Sequence, residues 1–425
     1  MEQEKRSALL VGLDSGRDPG YSRTMDELKR LAESAGIQAM DTMVQKRSRA
    51  DGGYYLGSGK REELAARILE EKPELLIFND DLTPMQVRNL EKELGCPVMD
   101  RTMLILDIFA RRARTREAAL QVEIASLQYM LPRLTGYGIT MSRQTAGSGL
   151  HTRGAGETKL ELDRRVIGRR IRHLKKELEQ LVLQRQTRRS RRKKNDLPVV
   201  SLVGYTNAGK STVMNALVSA WGERDDALVH TEDLLFATVE TAVRRIAPEP
   251  GKAFLLTDTV GFVSRLPHGL IKAFRSTLEE VTESDLLLHV VDLSDPEHGA
   301  HIQVTENTLR EIGVRDVPVL YVYNKTDLTE YPEPRRQEGK VFISAGKAEG
   351  VGLLVEAILE ILFPEPVRMR VRIPYGEGPL AGRIRSGSKV IREEFLEEGV
   401  LLEAEMDPRL ASRLKAYVVE ESEGE

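Results

Sequence analysis

Pro198-Val199-Val200-Ser201-Leu202-Val203-Gly204-Tyr205-Thr206-Asn207-Ala208-Gly209-Lys210-Ser211 decides the fold of the middle of this chain. Its first six residues form a short apolar run that predicts a buried strand. Thr212 to Ala220 then reads as a helix. Between them stands a glycine-rich loop of the phosphate-binding pattern, in the strand-before, helix-after setting that the pattern needs. The glycines let the backbone wrap around phosphates, where successive N–H groups and the helix N-terminus supply positive potential. Lys210 is placed to reach the β- and γ-phosphates and Ser211 to ligate Mg²⁺. Gly204 through Thr212 are therefore the first candidate nucleotide-binding residues.

Three further pieces follow in order. Ala253 to Thr257 is strand-like and ends in Asp258-Thr259-Val260-Gly261. Asp258 can hold Mg²⁺ through water, and the Gly261 N–H can meet a γ-phosphate. Val317 to Tyr323 predicts another buried strand and runs into Asn324-Lys325-Thr326-Asp327. The Asp327 carboxylate can accept from the ring N–H and exocyclic amine of guanine. Adenine lacks that donor pattern, and a site built this way rejects the wrong analogue by roughly 10⁴-fold. Asn324 supports the same loop, and the stem of Lys325 can cover the base. Last comes Phe342-Ile343-Ser344-Ala345-Gly346, where the Ala345 N–H can donate to the guanine carbonyl. Any one piece could be an ordinary turn; four in sequence order leave that reading little room. The expected ligands are GTP or GDP with Mg²⁺.

Between the first two pieces lies Leu235-Phe236-Ala237-Thr238-Val239-Glu240, just before a predicted strand from Ala242 to Ile246. Thr238 is the best-placed switch threonine, able to complete the Mg²⁺ shell with GTP and let go after hydrolysis. Thr231 and Thr241 rank behind it. The catalytic candidates are Lys210, Thr238 and Gly261, and the metal candidates Ser211 and Thr238. Many GTPases carry, after the Asp-x-x-Gly element, a glutamine that orients the attacking water. Here that position is Phe262, which cannot hydrogen-bond water, so water positioning must come from elsewhere.

Outward from this core, 425 residues allow two to four domains. Residues 1–105 alternate strand-like and helix-like segments. Ala8–Leu13, Ile37–Val44, Glu74–Phe78 and Pro97–Met99 are read as strands. Asp26–Ala35, Arg61–Glu71 and Pro84–Leu94 are read as helices. Such alternation implies a small, mostly parallel sheet. In residues 106–195, Arg111 to Leu131 lacks Gly and Pro and carries Leu120, Ile124, Leu127 and Leu131 as an apolar seam. A second seam runs from Leu160 through Ile167, Ile171, Leu174 and Leu178 to Leu181. Together they predict an antiparallel helical hairpin. Its tip, Pro132 to Glu157, holds six glycines, and is either a plain surface loop or a functional one. Arg164 to Lys194 holds fourteen basic residues against Glu177 and Glu179, a charge of +12 that leaves -15 for the rest of the chain. That block is either a solvated face or a surface for a polyanion, with phosphate contacts expected since no aromatic is present. Residues 196–363 are the nucleotide domain, with a mostly parallel six-stranded sheet. Residues 364–425 predict a small α+β appendage, with strands at Val367–Ile373, Lys389–Leu396 and Glu398–Glu405 and helices at Leu380–Arg385 and Pro408–Tyr417. The fold class is α/β, with the helical hairpin, an antiparallel coiled coil, between the two α/β domains.

The lone cysteine, Cys96, excludes a disulfide framework within the chain and suits a reducing compartment. No apolar run approaches the roughly 20 residues of a membrane helix. A cytoplasmic monomer without a membrane span is expected.

These residues resemble the HflX family of GTPases. The likeness lies in Gly204 to Ser211, Phe236 to Val239 and Asp258 to Phe262. Outside that domain it lies in Tyr55 to Lys60, Asp100-Arg101-Thr102 with Leu104 to Arg114, and Thr152 to Thr158. It spans about Leu9 to Phe363, and Ala155 stands where the family more often has proline. The resemblance implies a GTPase that binds the large ribosomal subunit through its RNA, splits or rescues stalled ribosomes under stress, and brings the hairpin tip near the peptidyl-transferase region. It also implies ATP binding by the N-terminal domain; Gly57-Ser58-Gly59-Lys60 could meet a phosphate there, but it lacks the full loop pattern and reads as a structural helix start. The alternatives are a GTPase of RNA maturation or tRNA modification, and a non-catalytic scaffold that binds GTP and RNA.

Overall fold

A computed structural model describes residues 6–16, 20–134, 155–192, 197–222, 235–236, 242–259, 261–265 and 281–419. The chain divides into two compact units, Met1–Val351 and Gly352–Glu425.

The first unit opens with a four-stranded parallel sheet in the order β2-β1-β3-β4: β1 (Arg6–Asp14), β2 (Ile37–Lys46), β3 (Leu75–Phe78) and β4 (Val98–Asp100). Ala8 to Val11 and Leu75 to Phe78 are buried, as expected of strands covered on both faces. The connecting helices are α1 (Tyr21–Ser34), α2 (Ser58–Glu71) and α3 (Pro84–Leu94). Local chemistry fixes their ends. Thr83 and Gln86 form a reciprocal capping box, Pro84 occupies the first turn, and Gly95 closes α3 in the left-handed region. The Asp100 carboxylate caps α4 (Arg101–Arg112) by accepting from the Met103 N–H at 2.9 Å.

The predicted helix from Arg111 to Leu131 is two helices, α4 and α5 (Arg116–Leu134), with Ala113 to Thr115 between them. Thr115 starts the second helix, its hydroxyl accepting from the Ala118 N–H at 3.3 Å. Next comes α6 (Ala155–Arg192). Leu120, Ile124 and Leu127 of α5 pack with Leu174, Leu178 and Leu181 of α6. Arg116 pairs with Glu177 at 2.7 Å and Arg170 with Glu123 at 2.8 Å, so the two helices run antiparallel, as the seams predict. The tip, residues 135–154, lies outside the described residues.

The second sheet has seven strands, one more than expected, in the order β10-β11-β9-β8-β5-β7-β6. They are β5 (Val199–Gly204), β6 (Ala242–Ile246), β7 (Phe254–Asp258), β8 (Leu286–Asp292), β9 (Val319–Asn324), β10 (Arg335–Gln337) and β11 (Lys340–Phe342). Only the edge pairs β6–β7 and β10–β11 are antiparallel. The extra strand is β10, a three-residue edge hairped onto β11. Helices α7 (Lys210–Trp221) and α8 (His298–Glu311) belong to this sheet. One apolar cluster runs through both halves of the unit: Leu10, Leu28, Leu31, Ile105 and Phe109 pack in the same core as Val203, Phe236, Phe262 and Val263.

The Gly352–Glu425 unit contains most of α9 (Val351–Leu362), then β12 (Val367–Pro374), α10 (Gly378–Gly387), β13 (Ser388–Leu396), β14 (Gly399–Met406) and α11 (Pro408–Arg413). Its antiparallel sheet has the order β12-β14-β13 and a core of Val371, Ile373, Ile384, Leu402 and Leu414. This matches the expected α+β appendage.

Candidate functional site

The loop after β5 is shaped by three backbone positions. Gly204 has φ +147° and Gly209 φ +90°; a Cβ on Gly204 would sit 2.2 Å from the Val290 carbonyl oxygen, and one on Gly209 2.2 Å from Asn324 Nδ2. Asn207 also adopts positive φ, at 64°. Only glycine tolerates the first two approaches. The loop leads directly into the N-terminus of α7, an end suited to an anion.

Lys210 is buried, and its ammonium donates to the carbonyls of Gly204 (3.1 Å) and Tyr205 (2.9 Å). Burial pushes its pKa down to about 8, with the Asp258 charge pulling the other way. Ser211 Oγ donates to Asp258 Oδ2 at 2.6 Å, and Asp258 is fully buried at the end of β7. A buried carboxylate and a hydroxyl beside a lysine form a hard-oxygen pair of the kind Mg²⁺ prefers. Thr259 turns inward, donating to the Leu202 carbonyl at 2.6 Å.

The base-reading end is tied to this loop by Asn324. Its amide donates to the Ala208 carbonyl at 3.0 Å and its Oδ1 accepts from the Ala345 N–H at 3.0 Å. The Ala345 N–H thus holds Asn324 here, where the sequence suggested a bond to guanine. Asp327 accepts from Ser344 Oγ at 2.7 Å and lies 3.7 Å from Lys347. Lys325, with φ 63°, pairs with Asp292 at 2.6 Å. Thr326 is buried beneath the loop and Gly346 lies in the turn beyond Ala345. Four chain segments, with Gly204 and Ala345 141 residues apart, thus converge on one site.

Two predicted nucleotide contacts point elsewhere. The Phe236 side chain is buried against Phe109, ring centroids 4.6 Å apart, and its carbonyl accepts from Arg112 at 2.9 Å. The Leu235 N–H donates to Ser34 Oγ at 3.0 Å. The reason is hydrophobic: burying a phenyl ring contributes roughly 2–3 kcal/mol. Tyr205 likewise turns outward from the loop. Its ring stacks on His301 at 3.9 Å, its hydroxyl meets Ser264 Oγ at 2.6 Å and donates to Glu27, and burial raises its pKa. Ala237, Thr238, Val239, Glu240 and Val260, with the alternatives Thr231 and Thr241, lie outside the described residues.

The segment after Gly261 lies against the phosphate loop. The Thr206 N–H donates to the Phe262 carbonyl at 2.7 Å, and the Phe262 N–H to the Gly204 carbonyl at 3.1 Å. From the other side, Arg101, 2% exposed, donates to Ser264 O (3.1 Å), Glu27 (2.6 Å) and Asn79 (3.0 Å). Arg265 pairs with Asp80 at 3.0 Å. Sequence reasoning missed Glu27, Arg101, Arg112 and Ser264 as partners of the nucleotide loops. Asp100-Arg101-Thr102 entered only as a point of family likeness.

Comparison with known proteins agrees with this geometry. Residues 22–110 match the family described as GTP-binding GTPase N-terminal, residues 112–192 the GTP-binding GTPase Middle Region, and residues 199–325 the 50S ribosome-binding GTPase family. GTPase HflX of Caldanaerobacter subterraneus subsp. tengcongensis is 44% identical, over 99% of this chain and 95% of that relative. GTPase HflX of Escherichia coli (strain K12) is 40% identical, over 88% of this chain and 87% of that relative. A solved complex of SsGBP with GDP is 26% identical, covering 84% of this chain and 98% of that one, at a TM-score of 0.47. The chain belongs to the HflX family; it binds GTP and GDP and is a GTP hydrolase.

Proposed function

We propose that this member of the HflX family binds the large ribosomal subunit in its GTP form. There it takes part in the dissociation or rescue of stalled or idle ribosomes under stress, with hydrolysis stimulated by the ribosome. The observation that carries the reading is Phe262. It is 2% exposed and packed in the shared core, so the position that holds a water-orienting glutamine in many GTPases offers none here. Slow hydrolysis alone and faster hydrolysis on a partner follow from that. The hairpin supports the partner's identity. Arg164, Arg165, Arg169 and Arg170 are exposed along α6, a positive stripe suited to RNA phosphates. No helix among the described residues is long and apolar enough to cross a membrane.

Ser211, with Asp258 through water and Thr238 in the GTP form, would hold Mg²⁺. The metal supplies charge neutralisation on the β- and γ-phosphates. The protein's own contributions are the Lys210 ammonium, the backbone N–H groups of the loop and the carboxylate of Asp327, which selects guanine.

Steady-state GTP hydrolysis with and without purified large ribosomal subunits, with ATP as control, tests the proposal. A rise of about 10²-fold or more with the subunit is expected, the scale on which activating partners act. A flat, slow rate would remove the ribosome as activator. Deleting residues 136–156 should leave GTP binding intact and weaken ribosome pelleting in the presence of a non-hydrolysable GTP analogue; unchanged pelleting would remove the tip from the interface.

A further inference from the structure

We infer that Thr206 positions the attacking water, the task that Phe262 cannot perform; this rests on the GTP hydrolase activity and is independent of the ribosomal part of the proposal above. Three observations converge on this side chain. First, Thr206 is 6% exposed, and its hydroxyl oxygen is buried with no hydrogen-bond partner among the described residues. Burying a hydroxyl unpaired is costly, and each such case calls for a reason. Valine would fill the same volume without that cost. Second, Thr206 sits where the third phosphate is read. A Cβ placed on Gly261 would meet Thr206 Cγ2 at 2.8 Å and Lys210 Nζ at 2.9 Å. Lys210 marks the β- and γ-phosphate end of the loop, and Gly261 is the backbone donor expected to meet the γ-phosphate. The Thr206 side chain therefore lies beside both, with its methyl toward Gly261. Third, the backbone of Thr206 is clasped to the next residue of the switch, its N–H donating to the Phe262 carbonyl at 2.7 Å. The residue that carries the Thr206 hydroxyl is thus tied by its backbone to the segment that begins with Gly261.

In the triphosphate state the hydroxyl oxygen accepts a hydrogen bond from the attacking water and fixes its lone pair toward phosphorus. The water oxygen bonds to the γ-phosphorus as the bond from phosphorus to the β–γ bridging oxygen breaks. The bridging oxygen leaves with GDP, and the water's protons end on inorganic phosphate and solvent. Thr206 neither gains nor loses a proton; its contribution is orientation.

The test uses the full chain without ribosomes. Thr206→Val and, as a second hydroxyl-free variant, Thr206→Ala are compared with Thr206→Ser. Three readouts are taken: single-turnover GTP hydrolysis, affinity for a fluorescent GDP, and affinity for the same GDP with aluminium fluoride as a transition-state mimic. Loss of the hydroxyl should slow hydrolysis ~10- to 100-fold and weaken the fluoride complex by a similar factor, while GDP affinity stays within about threefold. Serine should restore both. Wild-type chain turning over in the same assay separates this inference from the activity it rests on. Valine and alanine variants that hydrolyse GTP and bind the fluoride complex like wild type would overturn it. Variants that lose GDP binding in the same proportion would overturn it too, because the residue would then only shape the loop.

Discussion

The four-stranded and seven-stranded sheets are built on one plan, parallel strands joined by helices, yet they treat their strand ends in opposite ways. At the end of β5 the chain strips itself to glycine, with Gly204 and Gly209 in conformations that forbid side chains, so a phosphate can approach the backbone closely. At the ends of β3 and β4 the chain does the reverse. There Asn79, Asp80 and Arg101, with Glu27 from α1, fill the space with side chains and hold Ser264 and Arg265. Ligands of such sheets favour the strand ends where the strand order reverses, here between β1 and β3. In the second sheet the strand end is shaped for a small anion. In the first, a segment of the same chain occupies that region. Shared topology says where recognition happens; the side chains say whether the ligand is a nucleotide or a peptide.

The largest way to break this contrast is at the base. Asp327→Asn replaces an acceptor by an amide and should lower GTP affinity roughly 10³- to 10⁴-fold. Xanthine nucleotides, which offer a carbonyl where guanine offers an amine, should gain in return. Equilibrium binding with both bases checks it, and undiminished GTP affinity would remove Asp327 from base recognition. Next in size is the filled crevice. Arg101→Met leaves Glu27 facing a neutral side chain in a buried setting and should cost about 3–5 kcal/mol of stability. Denaturant unfolding of the full chain measures this; a loss under about 1 kcal/mol would make the network peripheral.

The smallest effect is set by pH. Burial lowers the Lys210 pKa from 10.5 to about 8. The folded chain therefore binds fewer protons than the unfolded chain between those values. The penalty for the buried charge is fully present below about pH 8 and is relieved as pH rises toward 10.5, so this group's contribution to stability rises with pH across the window. Phosphate binding has the opposite sign, since it needs the charged lysine. Affinity for GTP should fall about fivefold between pH 8 and 9 and more steeply above that. A flat affinity from pH 7 to 9.5 would mean that Lys210 keeps its charge.

The nucleotide half of the site was legible because its chemistry is local. The residues expected to bind phosphate and base stand in short runs with fixed spacing, and each run sits between elements whose apolar pattern is plain. The clasp across the two halves was not legible. Arg101 and Ser264 are 163 positions apart, Glu27 and Tyr205 178, and nothing in the neighbourhood of any of them signals the other. Phe236 shows the same limit. Its place in the switch stretch pointed to the nucleotide, but an aromatic side chain goes where it can be buried, and that place is beside Phe109. Helix ends were missed for a related reason. Pro132 marked the expected end of α5, yet the helix continues to Leu134. There Arg133 stacks on Tyr129 at 3.6 Å, pairs with Asp100 and donates to the Leu82 carbonyl at 3.0 Å. Tertiary anchoring outweighs the donor that proline lacks.

The 38 residues of α6 have a mechanical consequence. At 1.5 Å per residue they form a rod of about 57 Å, and six residues separate its carboxyl end from β5 of the nucleotide sheet. Braced by α5, such a rod acts as a lever. A tilt of about 10° at its fixed end carries the far end through roughly 10 Å. A change of a few ångströms among Gly261, Phe262 and their neighbours is the size of a hydrogen bond at one end of this protein, and can be the width of an RNA groove at the other.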